Sequence, residues 1–174
     1  MPETDISALR SELPDFADAF HGAILKVGTY LGDLTVELSQ ASLRPASLFL
    51  KYKVTPAYSV MMDLTAVDYL KFSIETPERF AVLYNFYSIE SGKRIFLKVW
   101  VPEETPRIPS IENIYPAANW FEREVWDLFG IVFDGHPNLA RILTHNEFVG
   151  HPLRKDYPAT GYQQLRKASP SAEL

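Results

Sequence analysis

The sequence predicts an α+β fold, in which a small mixed sheet built from two β-hairpins packs against helices and an extended C-terminal tail follows. Two pairs of segments alternate apolar and polar residues around short turns that contain glycine, which is typical of β-hairpins. Other segments repeat their apolar residues at helical spacing. Helices mixed with hairpins indicate an α+β fold rather than a parallel doubly wound sheet.

The first third of the chain predicts a broken helix and a hairpin. Residues 5–20 carry apolar residues at roughly helical spacing, and Pro14 breaks or kinks that run. Residues 23–39 alternate with period two around Gly32-Asp33. That pattern predicts a hairpin with a tight Gly-Asp turn.

The middle of the chain predicts a helix, a strand and a second hairpin. A helix is expected over Pro45–Lys53, because proline suits the first turn of a helix. Residues 60–70 predict a buried strand that ends in an acidic loop. Residues 79–89 and 93–101 are rich in β-branched and aromatic residues and flank Ser91-Gly92, which predicts the second hairpin.

The last part of the chain predicts two helices and a tail. A short helix is expected near residues 110–115 and a longer one near 119–129. After Gly150 the chain is rich in proline and has almost no apolar periodicity. We therefore expect one α+β domain over residues 1–150 and an extended, partner-binding tail over 151–174, which orders when it binds.

Composition excludes several functional classes. The 174 residues carry a net charge of −5, whereas a nucleic-acid-binding surface is normally basic. The chain has no cysteine, so it cannot supply thiolate ligands to an iron–sulfur cluster or to zinc. The N-terminus has no apolar run typical of a signal peptide, and no window approaches 18 consecutive apolar residues. We therefore expect a cytosolic chain that meets a membrane only through partners.

The helix near residues 119–129 mixes charges with aromatic residues. Asn119 and Glu122 have the spacing of a capping box, and Gly130 stands where a C-terminal cap belongs. At about 100° per residue, one face is apolar and is expected to pack on the core. The residues of that face are Phe121, Val125, Leu128 and Phe129.

Four other residues of this helix have less obvious roles. Arg123 and Asp127 are four residues apart and are expected to form an exposed ion pair. Trp120 projects among the charges, which is typical of an interface anchor but also occurs as a lone surface residue. Glu122 projects beside aromatic residues and needs a partner, because an unpaired buried charge is costly. The expected partners are Arg141, Arg154 or the first amides of the helix.

An enzymatic site built on these carboxylates is weakly supported. Glu122, Glu124, Asp127 and His136 are residue types that serve acid–base chemistry or bind hard metals. Glu122 and Glu124, however, point in nearly opposite directions on a helix, and metal-binding helices use spacings of three or four. Asp63 and Asp68 are interpreted as turn residues, and Arg154-Lys155-Asp156 as a solvated run or part of a motif.

Two stretches nonetheless resemble a known family. They are PAANWFEREVWDLFGIVFDGHPNLARIL at 116–143 and GHPLRKDYP at 150–158, and DLTAVDY at 63–69 adds to the match. Together they resemble the C subunit of proton-pumping NADH:quinone oxidoreductase, respiratory complex I, a 30-kDa-type family. The family usually has two consecutive arginines before the Ile-Leu pair, whereas this chain has Ala140 followed by Arg141. We expect the short, stand-alone form rather than a fusion to the neighbouring D subunit.

The resemblance implies a non-catalytic structural subunit in the hydrophilic arm of a membrane-associated NADH (or ferredoxin):quinone oxidoreductase. The D subunit is the implied neighbour, and the iron–sulfur clusters, flavin and quinone are expected in partner subunits. The implied location is peripheral, on the cytoplasmic face of the membrane or the equivalent matrix or stromal side. The implied signature and interface residues are Trp120, Glu122, Arg123, Glu124, Asp127, His136, Arg141, Arg154 and Asp156.

Two other functions stay open at this point. The first is a stand-alone metal-dependent or acid–base enzyme centred on Glu124 and His136. The second is a binding module for acidic or basic peptides with exchangeable partners.

Overall fold

A computed structural model describes residues 5–162 and confirms the predicted fold class. Its main feature is a five-stranded sheet in the order β1-β2-β5-β4-β3. The strands of this sheet are β1 (Ile24–Tyr30), β2 (Asp33–Leu38), β3 (Val60–Asp68), β4 (Phe80–Tyr87) and β5 (Arg94–Val101). The two hairpins, β1–β2 and β4–β5, join through a parallel pairing of β2 with β5, and β3 adds antiparallel to β4.

Within residues 5–162, four α-helices accompany the sheet, and each was expected from the sequence. They are α1 (Ser7–Glu12), α2 (Pro14–Phe20), α3 (Leu43–Tyr52) and α4 (Ala118–Phe129). Pro14 begins α2, which confirms the predicted break in the first helix. Pro45 lies in the first turn of α3, where its missing N–H needs no partner. Gly130 ends α4 with φ +74, as predicted for a C-terminal cap.

Three local expectations are wrong. The turn of the first hairpin is Leu31-Gly32 rather than Gly32-Asp33. Leu31 and Gly32 adopt the positive φ angles of a tight hairpin turn, 51° and 88°, and Tyr30 pairs with Asp33. β3 alternates buried and exposed residues instead of being buried throughout. Residues 111–115 form a hydrogen-bonded turn rather than a helix, and the Pro-rich stretch around it contributes a strand. That strand, β6 (Arg107–Pro109), pairs in parallel with β7 (Val132–Asp134) in a second, two-stranded sheet.

One hydrophobic core joins the sheet to all four helices. Fully buried side chains from the strands, such as Val36, Leu97 and Tyr84, belong to the same cluster as Leu50 of α3 and Val125 of α4. The core residues of the strands alternate along the chain, so they share one face of the sheet. Helix α4 contacts the sheet beside β3 and is thereby fixed at its edge.

Residues 151–156 do not leave the domain: 151–154 bond to the end of α4, and 155–156 bond to Asp68 and Arg79. Residues 163–174 of the predicted tail, and residues 1–4, lie outside the described part of the chain. The partner-binding role of the tail stays a prediction.

Candidate subunit interface: helix α4 and its strap

A segment after β7 runs back across α4 and contacts the helix from Arg123 to Phe129. We call residues 138–157 the strap. It contains no helix or strand, so its conformation depends on specific hydrogen bonds to α4 and to the end of β3. Most of the predicted site residues lie either on α4 or in this strap.

Asp127 is the centre of the contact between helix and strap. Its side chain is fully buried, and one carboxylate oxygen accepts the backbone N–H groups of Ile142, Leu143 and Thr144 at 3.1, 2.9 and 2.9 Å. The other oxygen accepts the Arg141 guanidinium at 2.5 Å and the Thr144 hydroxyl. Burial raises the pKa of Asp127, but the hydrogen bonds from Thr144, Leu143 and Arg141 lower it further, to well below its usual value.

Two arginines complete this contact. Arg141 closes the strap on itself, because its Nη2 donates to the carbonyls of Phe148 and Gly150 at 2.9 and 3.3 Å. Arg123 donates from Nε to the Ala140 carbonyl at 2.9 Å and from Nη2 to the Arg141 carbonyl at 3.3 Å. Both arginines therefore hold backbone of the strap in place.

The expected exposed ion pair between Arg123 and Asp127 is wrong. The strap covers Asp127 and offers it five donors, while Arg123 is turned to two strap carbonyls. Ala140 stands where the family usually has an arginine, but this substitution leaves the arrangement intact. Arg123 binds the backbone carbonyl of residue 140, which any residue provides.

The strap also caps the C-terminus of α4. The last four carbonyls of a helix have no partner within it, and in this helix each accepts at least one hydrogen bond. The donors, for residues 126 to 129 in turn, are Gly130 N at 2.9 Å, His151 Nδ1 at 3.0 Å, Leu153 N at 3.0 Å and Arg154 Nε at 2.6 Å. Burial lowers the pKa of His151, which favours the neutral ring with its proton on Nδ1. A Cβ on Gly130 would lie 2.5 Å from His151 Cδ2, so this approach requires glycine.

The end of the strap is tied to the sheet by an ion cluster. Arg79, just before β4, is nearly buried and contacts the carboxylates of Asp68, Glu103 and Asp156 at 2.8, 2.5 and 2.7 Å. Asp68, at the end of β3, also accepts the Lys155 N–H at 2.8 Å. The interpretation of Asp68 as only a turn residue is therefore wrong. The run at 154–156 is likewise not simply solvated, because each of its residues bonds to the domain.

Glu122 is the second fully buried carboxylate of α4, and it faces the core side. Its two oxygens accept the Ser110 hydroxyl at 2.6 Å and the Ile111 N–H at 2.8 Å. The expected partners, Arg141, Arg154 and the first amides of α4, are thus wrong. Burial raises the pKa of Glu122 to about 7, and the hydrogen bonds from Ser110 and Ile111 offset only part of that effect.

The predicted capping box between Asn119 and Glu122 is also wrong. Helix α4 begins one residue earlier, after Ala117, and no side chain caps it. Its first amides bond to turn carbonyls instead, as the Ala118 N–H does to Tyr115 O at 2.9 Å. Glu122 is drawn to the 110–111 turn and cannot also reach back to its own N-terminus.

The structure does not bring Glu124 and His136 together. His136 contacts the Asn119 carbonyl through Nε2 at 3.1 Å and accepts the Asn138 N–H at Nδ1, also at 3.1 Å. No hydrogen bond or ion pair involves the Glu124 side chain over residues 5–162. That part of the chain also holds no group of three His, Cys, Asp or Glu residues placed to bind a metal ion. The geometry gives the enzyme hypothesis no support.

One strip of α4 is covered by neither the core nor the strap. Trp120 remains 62 % exposed, and its ring lies 5.1 Å from the Arg123 guanidinium. Glu124, one turn further, is half-buried. These two signature residues therefore face outward, whereas Glu122, Arg123, Asp127, Arg141 and Arg154 are used within the chain.

Sequence reasoning missed three residues that build this site. Arg79, Ser110 and Thr144 each bond a buried carboxylate, yet none stands in a recognisable motif. Their partners are 11 to 17 residues away along the chain, beyond what helical or strand spacing can relate. The only signal was indirect, since buried carboxylates require donors somewhere in the fold.

Comparison with known proteins shows the family of this chain. Residues 36–163 match the family model described as respiratory-chain NADH dehydrogenase, 30 Kd subunit. The chain belongs to this family. It is 44 % identical over 143 residues to the mitochondrial NADH-ubiquinone oxidoreductase 30.4 kDa subunit of Neurospora crassa, covering 82 % of this chain and 49 % of that protein. It is 44 % identical over 137 residues to the C subunit of NADH-quinone oxidoreductase from Acidithiobacillus ferrooxidans. That match covers 78 % of this chain and 68 % of that protein.

Two solved structures share the fold of this family member. A trypsin-resistant fragment (1-134) of Nqo5 has a TM-score of 0.64 at 36 % identity and covers 75 % of this chain and 98 % of the fragment. A chain of the membrane-bound sulfane sulfur reductase, an archaeal respiratory membrane complex, has a TM-score of 0.69 over 96 % of this chain and 99 % of that one. At 20 % identity the second likeness shows the fold alone.

Glu122 makes stability depend on pH in a direction opposite to most carboxylates. Its folded pKa, about 7, lies above the ordinary 4.5, so its contribution is full below pH 4.5 and is lost as pH rises through 7. Glu122→Gln removes the charge; its one carbonyl oxygen can accept the Ile111 N–H, while its NH₂ group donates to the Ser110 hydroxyl, which reverses that bond. Between pH 5 and 8 it should gain about 2–3 kcal/mol of unfolding free energy relative to the wild type. Urea unfolding at both pH values measures this, with Glu124→Gln as the control; a pH-independent difference for Glu122→Gln would contradict the prediction.

Asp127→Asn should weaken the strap. Asparagine has one acceptor oxygen, so either Arg141 or the amides of residues 142–144 face an NH₂ group. We expect a loss of about 3 kcal/mol at pH 7. The loss should shrink below about pH 4, because the lowered pKa of Asp127 makes its contribution fade as pH falls. Thermal unfolding tests this against Asp63→Asn, an exposed aspartate on β3, and equal losses in both variants would rule out a special role for Asp127.

Proposed function

We propose that this chain is a non-catalytic structural subunit of the hydrophilic arm of a membrane-associated NADH (or ferredoxin):quinone oxidoreductase. It would support electron transfer to quinone coupled to proton translocation by holding neighbouring subunits in place. The observation that carries this proposal is the family match over residues 36–163, together with relatives named as subunits of such oxidoreductases.

The geometry of the signature supports a structural role. Seven of its residues make hydrogen bonds inside the chain: Glu122, Arg123, Asp127, His136, Arg141, Arg154 and Asp156. Groups held in this way fix the shape of a surface. What remains outward-facing is Trp120, Glu124 and the outer side of the strap, where Leu143 and Val149 are about 60 % exposed.

This outer side has the composition of an interface. An exposed tryptophan with exposed leucine and valine nearby is characteristic of a surface that a partner covers. We propose the D subunit as that partner, on the resemblance of the signature. The predicted tail, residues 151–174, would extend the same contact.

The cofactors of the reaction would lie in other subunits. Without cysteine, the chain has no thiolate for an iron–sulfur cluster. Within residues 5–162, every helix is too short or too polar to span a lipid bilayer. The place of the chain would thus be peripheral, on the cytoplasmic face or the equivalent matrix or stromal side, and reached through partners.

The proposal is tested by purification of the tagged chain from its native membranes in mild detergent. Mass spectrometry should find it in fixed stoichiometry with iron–sulfur and quinone-oxidoreductase subunits. Recovery of the chain alone would contradict the proposal. The input subunits retained would distinguish NADH from ferredoxin as electron donor.

Arg123→Ala should lower the yield of that assembly. The variant frees the Ala140 and Arg141 carbonyls and loosens the strap where it meets α4. Loss of two hydrogen bonds to a charged group is expected to cost about 2–3 kcal/mol of local stability. The measurement is the amount of tagged variant in the intact complex relative to wild type. Arg10→Ala, which removes an exposed pair with Asp18 on α2, is the control and should assemble normally.

A further inference from the structure

Helix α4 presents three strips with different surroundings. Val125 and Phe129 pack in the core, and Asp127 lies under the strap. The third strip begins with Trp120 and Glu124, which lie four residues apart on one side of the helix, and it ends at Leu128, which is partly buried against the core. At 1.5 Å per residue it is about 12 Å long.

The middle of this strip holds an acid without a counter-ion. Glu124 is half-buried, and no cation pairs with it in residues 5–162, although Arg123 precedes it. The Arg123 guanidinium instead donates to the Ala140 and Arg141 carbonyls. A half-buried carboxylate is stabilised by a cation, and the strip provides none of its own.

The end of the strip offers a second group that binds cations. The Trp120 ring is 62 % exposed, and the Arg123 guanidinium already lies over one of its two faces, 5.1 Å from the ring centroid, so a further cation would bind the other face. An indole face attracts a cation. A planar guanidinium can stack on an indole ring and also form bidentate hydrogen bonds with a carboxylate. The spacing of one helical turn places Glu124 within reach of a group on Trp120.

The opposite end of the strip is apolar. Leu128 packs against the core, and Leu153, 46 % exposed, is held at this end of the strip by its N–H, which donates to the Leu128 carbonyl at 3.0 Å. A partner with a cation at Glu124 and an apolar residue next to it would cover Leu153. The strip is complementary to a basic residue flanked by an apolar one.

We propose that this strip binds an arginine of a neighbouring subunit, with its guanidinium on Trp120 and paired with Glu124. The proposal rests on the proposed function, since it requires a partner subunit. It differs from that function in stating which chemistry the partner brings to α4. Charge complementarity at Glu124 and the stacking surface of Trp120 select arginine over an apolar or acidic contact.

The test uses the full chain within its native complex. A photo-reactive amino acid replaces Leu153, which leaves Trp120 and Glu124 unchanged, and the tagged chain is purified after irradiation of the membranes. Mass spectrometry then identifies the cross-linked peptide. We expect a peptide of another subunit with an arginine close to the cross-linked residue. A cross-link only to peptides without arginine, or none at all, would overturn the proposal.

Charge variants at Glu124 provide the second measurement. Glu124→Arg places like charges together and should lower recovery of the complex about tenfold, whereas Glu124→Gln should lower it less. Changing the mapped partner arginine to glutamate should restore assembly of Glu124→Arg. Glu90→Arg, in the exposed β4–β5 turn, is the matched control and should assemble as wild type.

The outcomes separate this inference from the proposed function. If the complex is recovered but Glu124→Arg assembles as well as wild type, or the charge exchange fails to rescue it, the arginine site is wrong and the subunit role stands. If the unmodified tagged chain is recovered alone, the subunit role fails and the arginine site fails with it.

Discussion

The strap depends on the buried carboxylate of Asp127. Five donors converge on its two oxygens, and all of them come from residues 141–144. This contact fixes where the strap begins, and the strap then supplies the donors that cap the end of α4. The same path brings Lys155 and Asp156 to Asp68 and Arg79. A segment without regular secondary structure is thus organised by one helical side chain.

The two buried carboxylates of α4 show how surroundings decide the behaviour of one functional group. Glu122 accepts two neutral donors, Ser110 and Ile111, so burial dominates and raises its pKa. Asp127 is equally buried but accepts more donors, including a guanidinium, so its pKa is lowered. Five residues apart on the same helix, they contribute to stability in opposite pH ranges. A signature rich in acidic residues therefore need not mark an acid–base site.

Much of the fold could be predicted from the sequence because it depends on local rules. The hairpins, the break at Pro14 and the glycine cap at Gly130 follow from turn chemistry and backbone conformation within a few residues. The first hairpin turn was misplaced by one residue because Leu31 adopts the left-handed conformation that favours glycine.

The partners within the site could not be predicted, because they are distant in sequence. Helical spacing relates Arg123 to Asp127 four residues away, but the groups that bind them lie 14 to 18 residues further along. Glu122 is bonded from a turn before the helix begins. The resemblance indicated which residues matter, and only the structure shows that most of them hold the chain together while Trp120 and Glu124 face outward.

Residue-resolved amide hydrogen exchange of the purified full chain can show whether Asp127 organises the strap. The amides of residues 142–144 lie in a segment without helix or strand, so only their bonds to Asp127 can protect them. We expect them to exchange slowly in the isolated chain, at rates comparable to the middle of α4. Exchange of these three amides as fast as in an unfolded chain, while α4 stays protected, would show that Asp127 does not organise the strap.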